Sequence, residues 1–364
     1  MDNLTHSLVG ALLGQMGLKR KTGLAMPTLI IAANIPDIDA VTVLLGGQQH
    51  LALRRGITHG PIAMVLLPLL LWGAMLWFDA WQTRRGKRPE KRLPVHRGWL
   101  LALAFIGCLS HPLFDWSNSY GVRLLEPFSS QWFYGDTLFI IDVWIWIALI
   151  AGIWFSFRRE RRGNSYWQRP AWISFTAICA YILVNGMMTG YAEERGRKTV
   201  EYVHGLSSSD IIANPVPVKF WEREILWRYV PDEKRMVGPL YGFGDYSLID
   251  GVTIAEQGHD LPPGADQRYV GDGQPVARHS FKAGGISKSL YDYAVQTDAD
   301  AAAFVSWSRM PIFTYDFVST TSKTTFIRIE DQRFLNPFVS DRFQVDVLIS
   351  AEQRRQIQQR KFKN

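Results

Sequence analysis

Long apolar runs fill the chain up to about Thr189; beyond it, charge, Gly and Pro are spread evenly. Four runs, Pro61–Ala80, Trp99–Trp116, Leu138–Phe157 and Ala171–Thr189, approach the roughly 20 mostly apolar residues that a spanning helix needs. Two shorter segments precede them: Leu4–Leu18, and Leu24–Leu45, which NIPDID interrupts. In the second half the period changes. RFQVDVLIS alternates Phe343, Val345, Val347 and Ile349 with Gln344 and Asp346, the pattern of a half-buried strand. SKTTFIRIED, AAFVSWSRMPIF and VKFWEREILWRYV read the same way, separated by turn-rich stretches such as DLPPGAD and GDGQP. The expected fold is an α-helical polytopic membrane domain over 1–190 with about six embedded segments, followed by a β-rich soluble domain over 191–364. An antiparallel sheet or small barrel is expected there, and EQRRQIQQRKFKN at the end reads as a solvated helix whose basic residues can touch anionic lipid.

Charge changes this picture by adding direction. The formal net charge of +7 would suit nucleic acid, but much of the excess lies in short loops between apolar runs, so no nucleic-acid partner is expected. Lys and Arg mark cytoplasmic loops. The loops 19–21, 84–97 and 158–169 carry 3, 7 and 5 of them, whereas the alternate connections 35–60 and 112–137 carry 2 and 1. That bias predicts an integral inner-membrane protein with both termini and the polar half on the extracytoplasmic side. A cleavable signal has its positive charge ahead of the apolar region. Here Asp2 leads and Lys19-Arg20-Lys21 follows, so Leu4–Leu18 is expected to be retained. The two cysteines, Cys108 and Cys179, both lie in apolar runs and staple nothing in the polar half.

The same topology brings His6, Asp37, Asp39, His59, His111, Asp115, Asp136 and Asp142 to the outer ends of their segments. His111 and Asp115, four apart, share one face of a helix. They are either ligands facing a polar interior or a hydrogen-bonded pair. Asp37 and Asp39, behind Pro36, suit either a divalent cation between two carboxylates or a turn whose side chains cap backbone amides. His59 precedes Pro61, a good first residue of a helix. Arg54 and Arg55 beside it suit a phosphate cradle or an anchor to lipid headgroups, and Thr58 or Gly60 can cap the helix. His6 gains weight only from its placement, and His50 is a weaker candidate on a loop. His204, His259 and His279 show no site-like spacing. Asp136, before TLFI, reads as an N-cap. Asp142 reads as a further ligand, a partner orienting a ligating His, or a general base. His with Asp suits Zn²⁺, with Mn²⁺ or Mg²⁺ as alternatives, as one ion or two.

Taken together, LTHSLVG, IPDID, RRGITH and LSHPLFDWSNSYGVRLLEPFS resemble the YdjM-like (DUF457) family of membrane-bound metal-dependent hydrolases over roughly the first 160 residues. The resemblance implies a metal site of His6, Asp37, Asp39, His59, His111 and Asp115. Family members often read His-Arg-Gly-x-Thr-His, whereas Arg54 stands at the first His position here, leaving His59 as the ligand of that motif. A more distant similarity to zinc-dependent phospholipase C and P1-type nucleases points toward phosphoester chemistry. The expected activity is hydrolysis of a lipid or other envelope-associated ester by metal-activated water, with Asp142, Arg55 and Thr58 as catalytic residues and Arg55 holding the anionic group. Two other classes fit the same residues: an ion or proton transporter, and a metal-binding sensor or scaffold without turnover. A transporter expects polar residues through the membrane, but LLLWGAM and WIWIALIAGIW are almost wholly apolar. No Gly-rich nucleotide loop and no Gly-x-Ser-x-Gly elbow is present.

Overall fold

The structure is a computed structural model of the chain. It describes residues 1–46, 48–204, 210–229, 240–248, 251–254, 292–317, 325–334, 343–350 and 352–353. The chain forms two compact units. The first comprises Met1–Thr42, Leu53–Thr189 and Pro215–Phe220; the second comprises Val43–Ala52, Gly190–Asn214 and Trp221–Asn364.

Helices build the first unit. The Asp2 carboxylate accepts from the Thr5 amide and starts α1 (Asn3–Gln15). Next comes α2 (Ala25–Ala32), then a 3₁₀ stretch over Ile35–Leu45, bent from α2 by 42°. Pro36 accounts for the break, since it lacks an amide donor and disfavours a helical residue before it. The short α3 (Gln49–Leu53) and a 3₁₀ turn over Ile57–His59 lead into α4 (Pro61–Arg84), with proline at its first position. Then follow α5 (Arg97–Trp116), α6 (Val143–Arg161) and α7 (Arg169–His204).

Backbone proximity holds α2 in place. A side-chain carbon on Gly10 of α1 would sit 2.7 Å from the Leu29 carbonyl oxygen. One on Gly107 of α5 would meet Ala32 Cβ at 2.6 Å. Small residues at such crossings are how helices associate where lipid removes the hydrophobic drive between them. Leu29 and Ala32 are fully buried as a result.

The ends of this unit differ chemically. At one end Glu160 pairs with Lys19 and Arg20, Lys21 lies over the Trp99 ring, and the His96 amide donates to Thr22. This gathers the basic connections. The start of α1, the end of α2, the start of α4 and the end of α5 lie at the other end, where the His and Asp residues meet.

Among the described residues, three helical stretches are long and apolar enough to cross a membrane: Pro61–Arg84, Arg97–Trp116 and Arg169–Tyr202. The bent pair over Ala25–Ala32 and Ile35–Leu45 makes up to four. The expected helix over Leu138–Phe157 starts only at Val143, because Phe133 and Leu138 are held in bridges to Val122 and Asn118. The last run is longer than its apolar pattern suggests, with helix continuing through the charged residues up to His204.

Strands dominate the second unit. One sheet has the order β1 (Asp210–Pro215), β2 (Glu222–Tyr229), β3 (Leu240–Ser247), β4 (Gly251–Ile254). The other has the order β5 (Pro311–Phe317), β6 (Thr325–Asp331), β7 (Gln344–Ile349). Neighbours β2/β3, β3/β4, β5/β6 and β6/β7 are antiparallel. Ile327 pairs with Val347 and Ile329 with Val345, and all four are buried, so the alternation in β7 marks its inner face. One expected strand is a helix. Residues AAFVSW fall in α8 (Ala299–Trp307), capped by Asp298, and the strand begins only at Pro311. Ala301, Phe304 and Trp307 follow one another at intervals of three residues, so they bury one helical face. The stretches DLPPGAD and GDGQP, residues His259 and His279, and the tail after 353 lie outside the described residues.

A buried histidine and aspartate centre

Five segments deliver the polar cluster. His6 comes from the first turns of α1, and Asp37 and Asp39 from the 3₁₀ stretch after α2. Arg54 and Arg55 follow α3, His59 ends the turn before α4, and His111 with Asp115 closes α5. All but Arg54 are buried, His111 and Asp115 completely. Asp37, His59, His111 and Asp115 each offer a ligand atom within 4.8 Å of the others.

The spacing within this group suits a metal. His59 Nε2 and His111 Nε2 are 3.1 Å apart, and Asp115 Oδ2 is 3.3 Å from the first and 3.4 Å from the second. Ligands about 2.0–2.1 Å from a tetrahedral ion stand about 3.3 Å from one another. Asp37 Oδ1 lies 3.7 Å from His111 Nε2. His6 stacks on His111 with ring centroids 3.8 Å apart, and its Nε2 is 3.3 Å from Asp115 Oδ1.

Hydrogen bonds around the cluster select the ring tautomers. The His111 Nδ1–H donates to the Ala33 carbonyl at 2.7 Å, which leaves Nε2 with its lone pair. Thr58 donates its hydroxyl to Asp39 Oδ2 at 2.8 Å and so receives the His59 Nδ1–H at 2.9 Å. Asp39 thereby orients His59 through Thr58, the arrangement by which carboxylates support ligating imidazoles. Burial pushes the His59 imidazole below its ordinary range, against the pull of Asp115 and Asp39. The Nε2 atoms of the two rings thus face each other across 3.1 Å.

The donors left over also suit a cation. His6 Nε2, Asp39 Oδ1 and both oxygens of Asp37 are buried and make no hydrogen bond. Buried polar atoms are seldom left so, and a divalent ion would satisfy several at once. The Met1 ammonium already sits on Asp115 Oδ1, so the carboxylate accepts positive charge at that position. The donor set of imidazole and carboxylate, without thiolate, fits Zn²⁺ or a similar ion.

Three expected roles change. Arg55, expected to hold an anion, is buried. Its Nε lies 3.0 Å from Asp115 Oδ2, Nη1 donates to Asn118 and to the Gly121 carbonyl, and the group stacks on Tyr120. Its left-handed backbone (φ 52°) is held by its own N–H donating to Asp39 Oδ2 and by the Arg123 N–H donating to its carbonyl. It is therefore a brace for Asp115. The helix cap expected at Asp136 belongs to Asp142, whose Oδ1 accepts the Trp144 and Ile145 amides while Oδ2 accepts from Tyr181. Asp142 serves the start of α6 and stands outside the group of four. Thr58 is the relay between His59 and Asp39.

Two participants had no assignment from sequence. Asn118 lies inside the WSNSYG stretch, where an amide among aromatics is a fair signal for a buried polar role. The Ala33 carbonyl carries no side-chain signal at all.

A helical membrane unit with a buried His/Asp cluster at one end defines the class: a membrane protein with a group of side chains that could hold a metal. Residues 1–192 match the family described as YdjM inner membrane protein, and the chain belongs to that family. No curated protein and no solved structure matches it.

Proposed function

We propose that the protein is a membrane-bound, metal-dependent hydrolase acting on a phosphoester or other ester of a lipid or envelope-associated substrate. The triangle of His59 Nε2, His111 Nε2 and Asp115 Oδ2, with its ligand-sized edges, carries this reading. In it, His59, His111 and Asp115 would hold one divalent ion, zinc by donor chemistry, with Asp37 and His6 standing beside it. When bound, such an ion activates water near neutral pH and polarises an ester oxygen.

The chain's own groups do the rest. Arg55 fixes the Asp115 carboxylate, and Thr58 with Asp39 keeps His59 in the tautomer that presents Nε2. With Asp142 engaged at the helix cap, the proton acceptor is Asp37, whose two oxygens are free of hydrogen bonds. The surrounding burial excludes bulk water, which strengthens each of these interactions.

In the cell, this reading puts the cluster near the outer leaflet, on the strength of the Lys/Arg bias of the loops. A periplasmic reporter fused after Asn364 should be active, and activity only of a cytoplasmic reporter would reverse the orientation. The decisive assay is a panel of phosphodiesters and phospholipids with the purified full chain. Turnover should vanish with chelator and fall with Asp39→Asn; turnover unchanged by both refutes the hydrolase reading.

A further inference from the structure

Two arginines adjoin the cluster, and they are built differently. Arg55 has 5 % of its side chain exposed and is held by carboxylate, amide, carbonyl and ring. Arg54 has 26 % exposed, and its contacts are long: Nη2 to Asp37 Oδ1 at 3.5 Å and Nε to Asp39 Oδ1 at 3.9 Å. Charge-assisted bonds ordinarily close to about 2.7–2.9 Å. The buried Nε of Arg54 makes no hydrogen bond. A guanidinium thus stands beside the Asp37 and Asp39 carboxylates, open on one side to solvent, with its Nε unused.

We infer that Arg54 is the anion-binding residue of this site, taking a tetrahedral oxyanion of the phosphate class next to the metal. The inference rests on the metal reading above. A planar fork of donors matches two oxygens of a phosphate, which a point charge does not. The neighbouring Asp37 and Asp39 carboxylates would repel such an anion unless both cations, the ion and Arg54, were present. Binding is therefore expected to need both. Arg55 cannot serve, since freeing its guanidinium would leave Asp115, Asn118 and the Gly121 carbonyl without their partner.

The test uses the purified full chain loaded with zinc and titrated with inorganic phosphate by calorimetry. Arg54→Ala is expected to keep its zinc content and to weaken phosphate binding about 10- to 100-fold, the loss of a bond to a charged group. Arg54→Lys should recover part of that affinity, and zinc-free protein should show none. A wild-type chain that holds no zinc overturns the metal reading and this one together. Zinc held normally, with phosphate bound equally by wild type and Arg54→Ala, or by neither, overturns this inference alone. Nanodiscs of phosphatidylcholine with and without phosphatidic acid separate the sources. Competition by phosphatidic acid that is lost in Arg54→Ala upholds the site as one for a lipid headgroup. Undiminished Arg54-dependent phosphate binding in both upholds it for a water-soluble phosphoester.

Discussion

His59 and His111 each donate one ring nitrogen to the protein and keep the other, and these two bare nitrogens lie 3.1 Å apart. Removing either should remove the ion: His111→Ala and His59→Ala are expected to purify without stoichiometric zinc by elemental analysis. Asp39→Asn acts one step further out. It should keep the fold and weaken zinc binding about 10- to 100-fold, as for other partners of ligating imidazoles, measured by competition with a chromogenic chelator. Asp142→Ala should behave differently. Loss of the cap on α6 costs about 1 kcal/mol, visible in a thermal melt, while the zinc content stays unchanged. A drop in zinc there would restore Asp142 to the metal centre.

At the scale of elements, the site depends on how closely α1 and α5 approach α2. The Ala33 carbonyl that orients His111 follows α2 directly, and Asp37 and Asp39 come just after the break. Gly107→Val would drive a side chain into Ala32 and the Leu29 carbonyl. The expected outcome is a loss of about 1–3 kcal/mol from overpacking, together with weaker zinc binding, because the same shift displaces Ala33 and the carboxylates. A variant that melts lower yet binds zinc normally would separate helix packing from site assembly. These helices were legible because apolar runs of spanning length have few alternative folds. The start of α6 was misplaced because the residues before Val143 are as apolar as a helix yet bridge to the loop after α5. In α8, β-rich composition gave way to tertiary packing of Phe304 and Trp307 on one face.

For the whole molecule, the two units should respond to different agents. Removing zinc should lower the melting temperature of the first unit, since an ion bound only by the folded form stabilises it by mass action. The cluster's residues all belong to the first unit, and the described buried charges of the second include Asp331 with Arg333. Burial alone would raise the Asp331 carboxyl. The Arg333 guanidinium and the Ser308 hydroxyl outweigh that, so it lies below the ordinary 3.8. A depressed carboxyl contributes stability that is present above the unfolded value and lost as pH falls through and below it. Protection of the β5–β7 amides, taken relative to the intrinsic exchange rate at each pH, is therefore expected to fall below about pH 4, and Asp331→Asn should flatten that dependence. The apolar runs, the period-two strands and the order of the His and Asp motifs were enough to establish a helical membrane half, a β-rich half and the polar side chains that meet in the buried cluster, because each is a property of residue type and spacing. Which arginine braces and which stays open, which aspartate caps a helix, and which ring nitrogen faces the centre were decided only when distant segments met, since those roles depend on the partner across the fold and not on the neighbour along the chain.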